Sequence, residues 1–92
     1  MSDAKTIYKY PLRLADEQQI MLPEGAETLH VGLQGEHQLQ VWALVNPDAT
    51  MTPRAFRVLG TGHPFIDAAS WRHVGSIFDG PFVWHVFEAV SS

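Results

Sequence analysis

An all-β, single-domain fold is predicted here: about seven short antiparallel strands in a meander that forms a partly open barrel or sandwich, with little or no helix. Three features of the sequence predict it. Short segments alternate apolar and polar residues with period two, as in Leu29-His30-Val31-Gly32-Leu33-Gln34. Turn-forming residues cut the chain at short intervals, at Pro23-Glu24-Gly25, Gly35-Glu36-His37, Asn46-Pro47-Asp48 and Asp79-Gly80-Pro81. Only Ile66-Asp67-Ala68-Ala69-Ser70-Trp71 accommodates a helical turn, and it is too short for more than one.

Taken in order, residues 1–5 are small and polar and are expected to form a flexible N-terminus. Residues 6–90 make up the β domain, and 91–92 a C-terminal tail. From Thr6 to Leu14, Tyr8, Tyr10, Leu12 and Leu14 share one parity, while Pro11 marks an edge strand or bulge because it has no N–H for a ladder. Gln18 to Pro23 is a short apolar strand. Leu29, Val31 and Leu33 give the next strand one buried face. Gln38 to Val45 begins alternating and ends apolar on both faces, as a strand deep in the sheet does. Asn46 to Pro53 reads as the longest loop, since prolines and polar turn formers leave no room for a regular element. Arg54 to Leu59 returns as a strand with Phe56 and Val58 on one face and Arg57 on the other, and runs into the Gly60-Thr61-Gly62-His63-Pro64 turn. Trp71 to Phe78 is a further strand, and Asp79-Gly80 a tight turn whose regularity Pro81 disturbs. The last strand, Phe82 to Val90, is apolar on both parities and is expected to lie centrally or against another subunit. The expected core is Tyr8, Tyr10, Leu12, Leu29, Val31, Leu33, Val41, Ala43, Phe56, Val58, Trp84 and Val86.

Composition narrows the function classes. A chain of 92 residues holds one domain, and so small a domain buries only about 60% of its unfolded surface, so a partner subunit helps stability and a homo-oligomer is expected. Charged residues make up 17% of the chain, below the roughly 25% of ordinary domains, which leaves neutral surface for an interface. Ten acids against six bases give a formal charge of −4. Lys5, Lys9, Arg13, Arg54, Arg57 and Arg72 are scattered, so no phosphate-tracking stripe is present and nucleic-acid binding is not expected. The absence of cysteine excludes disulfides and thiolate chemistry. No apolar run reaches the roughly 20 residues of a membrane span and no signal-peptide core follows Met1, so a cytoplasmic protein is expected.

No catalytic, metal or cofactor fingerprint survives inspection. Gly60-Thr61-Gly62 is followed by Pro64 and Phe65 instead of a third glycine, a lysine or a helix, so it is neither a dinucleotide fingerprint nor a P-loop. His30, His37, His63, His73 and His85 lack the helical spacing of zinc hydrolases, although His73 and His85 can face each other across the terminal hairpin. Ser70 and Ser76 lack a nucleophile elbow. No enzyme, cofactor or metal is expected. Three tryptophans and five phenylalanines interleave with Arg54, Arg57 and Arg72, a combination able to hold a protein partner or a nucleotide through cation–π contact and stacking. Proline sterics hold His63 extended, so Thr61 and His63 join Arg54, Arg57 and Arg72 as the candidate partner- or ligand-binding residues.

Thr6-Ile7-Tyr8-Lys9-Tyr10-Pro11-Leu12, Trp42-Ala43-Leu44-Val45-Asn46-Pro47, the Phe56 to Pro64 stretch and His85-Val86-Phe87-Glu88 together resemble the pattern of a family of small uncharacterised proteins carried by phages and prophages. The resemblance covers nearly the whole chain and implies a setting without a chemistry. In that setting the expected function is a non-catalytic binding protein that blocks a host defence complex in the bacterial cytoplasm, in the manner of anti-CRISPR proteins. Two alternatives stay open: a sponge that sequesters an immune nucleotide signal at a subunit interface through Arg54, Arg57, Thr61 and His63, and a virion or assembly component.

Overall fold

The computed structural model describes residues 4–90. The expected tail at 91–92, and residues 1–3 of the expected flexible N-terminus, lie outside the described residues. Seven strands form: β1 (Thr6–Pro11), β2 (Glu17–Pro23), β3 (Glu27–Gln34), β4 (Gln38–Val45), β5 (Met51–Gly60), β6 (Trp71–Asp79) and β7 (Phe82–Ala89). One 3-10 turn, Ala68–Ser70, occupies the place where a helical turn was expected. No α-helix occurs among the described residues.

Two antiparallel sheets are stacked, one in the order β1-β4-β3 and the other in the order β2-β5-β7-β6. The molecule measures 46 × 33 × 15 Å, a slab about as thin as two sheets stacked roughly 10 Å apart require. The sheets form a sandwich and do not close into a barrel. Only β3–β4 and β6–β7 pair as consecutive strands; β1 pairs with β4 and β2 with β5, so the chain passes from sheet to sheet where a meander would not.

Period-two patterning places the core. Leu39, Val41, Ala43 and Val45 of β4 face Phe56 and Val58 of β5 and Val86 of β7, with Leu12, Leu22, Ala26, Val31 and Ile77 completing the cluster. The central position expected for the last strand is observed, since β5 and β6 flank β7. Two expected core residues are exposed instead. Tyr8 has the inward parity, but β1 is an edge and the residue is 47% exposed. Leu29 falls at the register shift between Thr28 and His30, which turns it out of the alternation. Three boundaries also move. β1 ends at Pro11, short of the expected Leu14, which is 52% exposed. β5 begins at Met51 and so takes in Thr52 and Pro53, which were expected in the loop. Proline is tolerated there because the β7 ladder starts only at Phe56, leaving that side of Pro53 without a ladder partner among the described residues. The β6–β7 turn centres on Gly80-Pro81, one residue later than Asp79-Gly80, with Asp79 paired to Phe82 and Gly80 at φ 59°.

Candidate functional site

The outer face of the four-stranded sheet and the turn leaving β5 carry most of the polar chemistry. Gly62 has φ 92°, a conformation that disfavours any side chain. The turn folds back on itself: the His63 N–H donates to the Gly60 carbonyl at 3.1 Å, and the Gly60 N–H donates to His63 Nδ1 at 3.2 Å. Thr61 fastens the turn to the sheet, its N–H donating to the Val83 carbonyl at 3.3 Å.

From Thr61 a chain of side-chain hydrogen bonds crosses the sheet. Thr61 Oγ1 lies 2.7 Å from His85 Nε2, His85 Nδ1 lies 2.8 Å from Ser76 Oγ, and His73 Nε2 lies 3.0 Å from the same oxygen. The expected meeting of His73 and His85 therefore occurs through Ser76. His85 has hydroxyls on both nitrogens, so the place a carboxylate holds in a Ser-His-acid triad is taken by a threonine. Among the described residues no group of three or more His, Cys, Asp or Glu is placed to hold a metal ion.

Beside this chain, Gly60, Thr61, His63, Pro81, Phe82, Val83 and Trp84 line a pocket of about 410 Å³. Phe82 stacks on Trp84 with centroids 6.0 Å apart. Among the described residues no Lys, Arg, Asp or Glu lines it. At the hairpin tip, Phe78 and Phe82 are 76% and 58% exposed.

Arg57 serves a different purpose. Its guanidinium donates to both carboxylate oxygens of Asp16, at 2.9 and 3.2 Å, and lies 4.9 Å from the Phe65 ring centre and 5.5 Å from that of Trp71. The Arg57 hydrogen bonds hold the Asp16 carboxyl below its usual range, and the same bonds raise Arg57 above its own. Phe65 in turn meets Phe87 edge-on at 4.7 Å. Arg57 thus pins residues 65–71 to the sheet.

Arg54 and Arg72 are elsewhere. Both bond Glu88, which is 1% exposed on β7: Arg72 at 2.7 Å, and Arg54 through a short contact to the other carboxylate oxygen. Thr28 donates to Glu88 at 2.8 Å, and Arg54 also donates to the Ala26 carbonyl at 2.9 Å. The reason is parity. Arg54 stands two residues from Phe56 and shares its inward face, Arg57 faces outward, and Arg72 pairs with Glu88 across the ladder. Of the five candidate residues, the structure brings Thr61 and His63 together at the pocket, places Arg57 in its own clamp on the same outer face, and turns Arg54 and Arg72 to the inner side, where both reach Glu88 although the Arg72 side chain stays 61% exposed on the edge strand β6. Sequence reading missed Glu88, although its alternation with Val86 marked it as inward.

With the fold and this surface established, the comparison with known proteins gives a family. The chain belongs to DUF7352, a domain of unknown function. The family match runs over residues 3–92, nearly the whole sequence. No curated protein and no solved structure matches it.

Proposed function

We propose that this member of DUF7352 is a non-catalytic binding protein whose contact surface is the end of the four-stranded sheet where the Gly60–Pro64 turn meets the β6–β7 hairpin. The observation that carries this reading is Phe82, 58% exposed in the lining of a pocket without a charged side chain among the described residues, with Phe78, 76% exposed, on the opposite face of the same hairpin tip. An exposed aromatic that lines a pocket, with a second at the same hairpin tip, has the chemistry of a protein–protein hot spot. In the phage or prophage setting implied by the motif resemblance, the partner is a host defence complex in the bacterial cytoplasm, blocked by occupancy.

The nucleotide-sponge alternative loses its phosphate-binding groups. Arg54, Arg57 and Arg72 all have carboxylate partners within the chain, and no cation lines the pocket. No observation favours a virion component.

Size-exclusion chromatography with purified host defence complexes tests the reading. One complex is expected to co-elute stoichiometrically with the wild-type chain, and Phe82→Ser with Phe78→Ser is expected to weaken it by roughly 30-fold, the effect of about 2 kcal/mol at a hot spot, without moving the unfolding midpoint. Failure of the wild type to bind across a broad panel, or undiminished binding by the double variant, refutes it. Saturable calorimetric binding of a cyclic nucleotide would transfer the surface to the sponge reading.

A further inference from the structure

We infer that the edge of β1, unpaired among the described residues, is a self-complementary dimerisation strand, joining two copies of this chain about a two-fold axis through Tyr8. This proposal stands apart from the function above, since β1 lies in the other sheet.

The backbone sets the pairing parity. Leu12 follows the β1–β4 ladder and donates its N–H to the Leu39 carbonyl at 2.9 Å. In an antiparallel pair, bonded and non-bonded positions alternate. Tyr8 and Tyr10 therefore exchange hydrogen bonds with Ala43 and Val41, while Ile7, Lys9 and Pro11 turn their backbone groups to the open edge. Pro11 fits this assignment, because its missing N–H falls where β4 needs none.

Four registers of an antiparallel self-pairing deserve comparison. A dyad through Lys9 puts two ammonium groups opposite each other, and one through Ile7 sets Lys5 against Lys9; like charges directly opposed are destabilising. A dyad through Tyr10 places Lys9 against Pro11, which has no hydrogen to donate. A dyad through Tyr8 opposes no like charges and moves the missing proline hydrogen to the end of the ladder, where Pro11 meets Lys5. Ile7 then exchanges both backbone bonds with Lys9 of the second copy, and Tyr8 meets Tyr8 at a non-bonded position, where side chains come closest. Pro11 ends the ladder, and the two-fold pairing uses the one open edge of each β1, so it stops at two chains.

The apolar surface to be covered is on this strand. Ile7 is 55% and Tyr8 47% exposed, one on each face of the sheet. Among the other edges, β3 and β6 lie against each other, with Val31 packed on Gly75, and β2 offers a single exposed large apolar side chain, Met21.

The chain contains no cysteine, so single-cysteine variants report register cleanly. Light scattering on the wild type over a concentration series is expected to show a dimer. Oxidation of Tyr8→Cys is expected to give a covalent dimer at roughly ten times the yield of Ile7→Cys or Lys9→Cys, because only the dyad position brings two Cβ atoms within disulfide range. Ile7→Pro removes an edge N–H that β4 does not use and is expected to give a folded monomer. Tyr8→Lys, which sets two charges on the dyad at an exposed position, is expected to do the same and serves if the proline variant fails to fold. A monomeric wild type at every concentration overturns the proposal. So does a dimer that cross-links as well through position 7 or 9 as through 8, or that persists in folded Tyr8→Lys.

Discussion

Glu88 is the residue on which the interior electrostatics turn. Its carboxylate is desolvated, and two guanidiniums and a threonine hydroxyl satisfy it. Removing one partner of such a group leaves uncompensated charge between the sheets, whereas the Asp16–Arg57 pair is open to water on its carboxylate side. Glu88→Gln leaves Arg54 and the more exposed Arg72 without their carboxylate and is expected to lower the unfolding free energy by about 1–3 kcal/mol in urea denaturation. Gly75 poses a steric problem of a different kind: a Cβ there would lie 2.8 Å from Val31 Cγ2. Gly75→Ala is expected to cost about 1–3 kcal/mol, and Val31→Ala in the same chain to recover part of the loss, because it removes the methyl that collides. A double-mutant cycle measures that coupling.

Among the elements, the segment from Phe65 to Trp71 is the one whose placement depends on a charge. Arg57 holds it from beneath, and Asp16 holds Arg57. The carboxyl of Asp16 titrates below its ordinary range when folded, so its contribution is present above the ordinary carboxylate pKa and is lost as pH falls through the lowered folded value. Asp16→Asn is expected to melt below the wild type near neutral pH, with the difference closing in acid once the wild-type carboxyl is protonated; thermal scans at both pH values check it. Legibility was greatest at this scale. The alternation in β3, β4 and β5 marked their faces, and Pro11 marked β1 as an edge. Pro53 misled because a proline at the outer margin of a ladder resembles one in a loop. The Thr61-His85-Ser76-His73 chain was hidden because cross-strand neighbours depend on register, and the bulge between His73 and Gly75 shifts that register by a residue. Arg54 and Arg57 were grouped by proximity in sequence, although odd spacing on a strand sends them to opposite faces.

For the molecule as a whole, β4, β5 and β7 are each flanked by strands on both sides. Their amides are expected to exchange slowest with solvent, through opening close to global unfolding, and hydrogen exchange followed residue by residue checks this. The pairings of β1 with β4 and β2 with β5 join distant parts of the chain, so folding is expected on the millisecond-to-second scale of β-rich topologies, measurable by stopped-flow mixing. The tryptophans give such experiments an optical handle. Trp42 stands on the three-stranded sheet beside His30, Trp71 beside Arg57, and Trp84 against Phe82 at the pocket. Three fluorophores thus sit in three separate environments, and chains keeping one indole at a time would let the outer face, the clamped segment and the pocket be watched independently, each by its own emission.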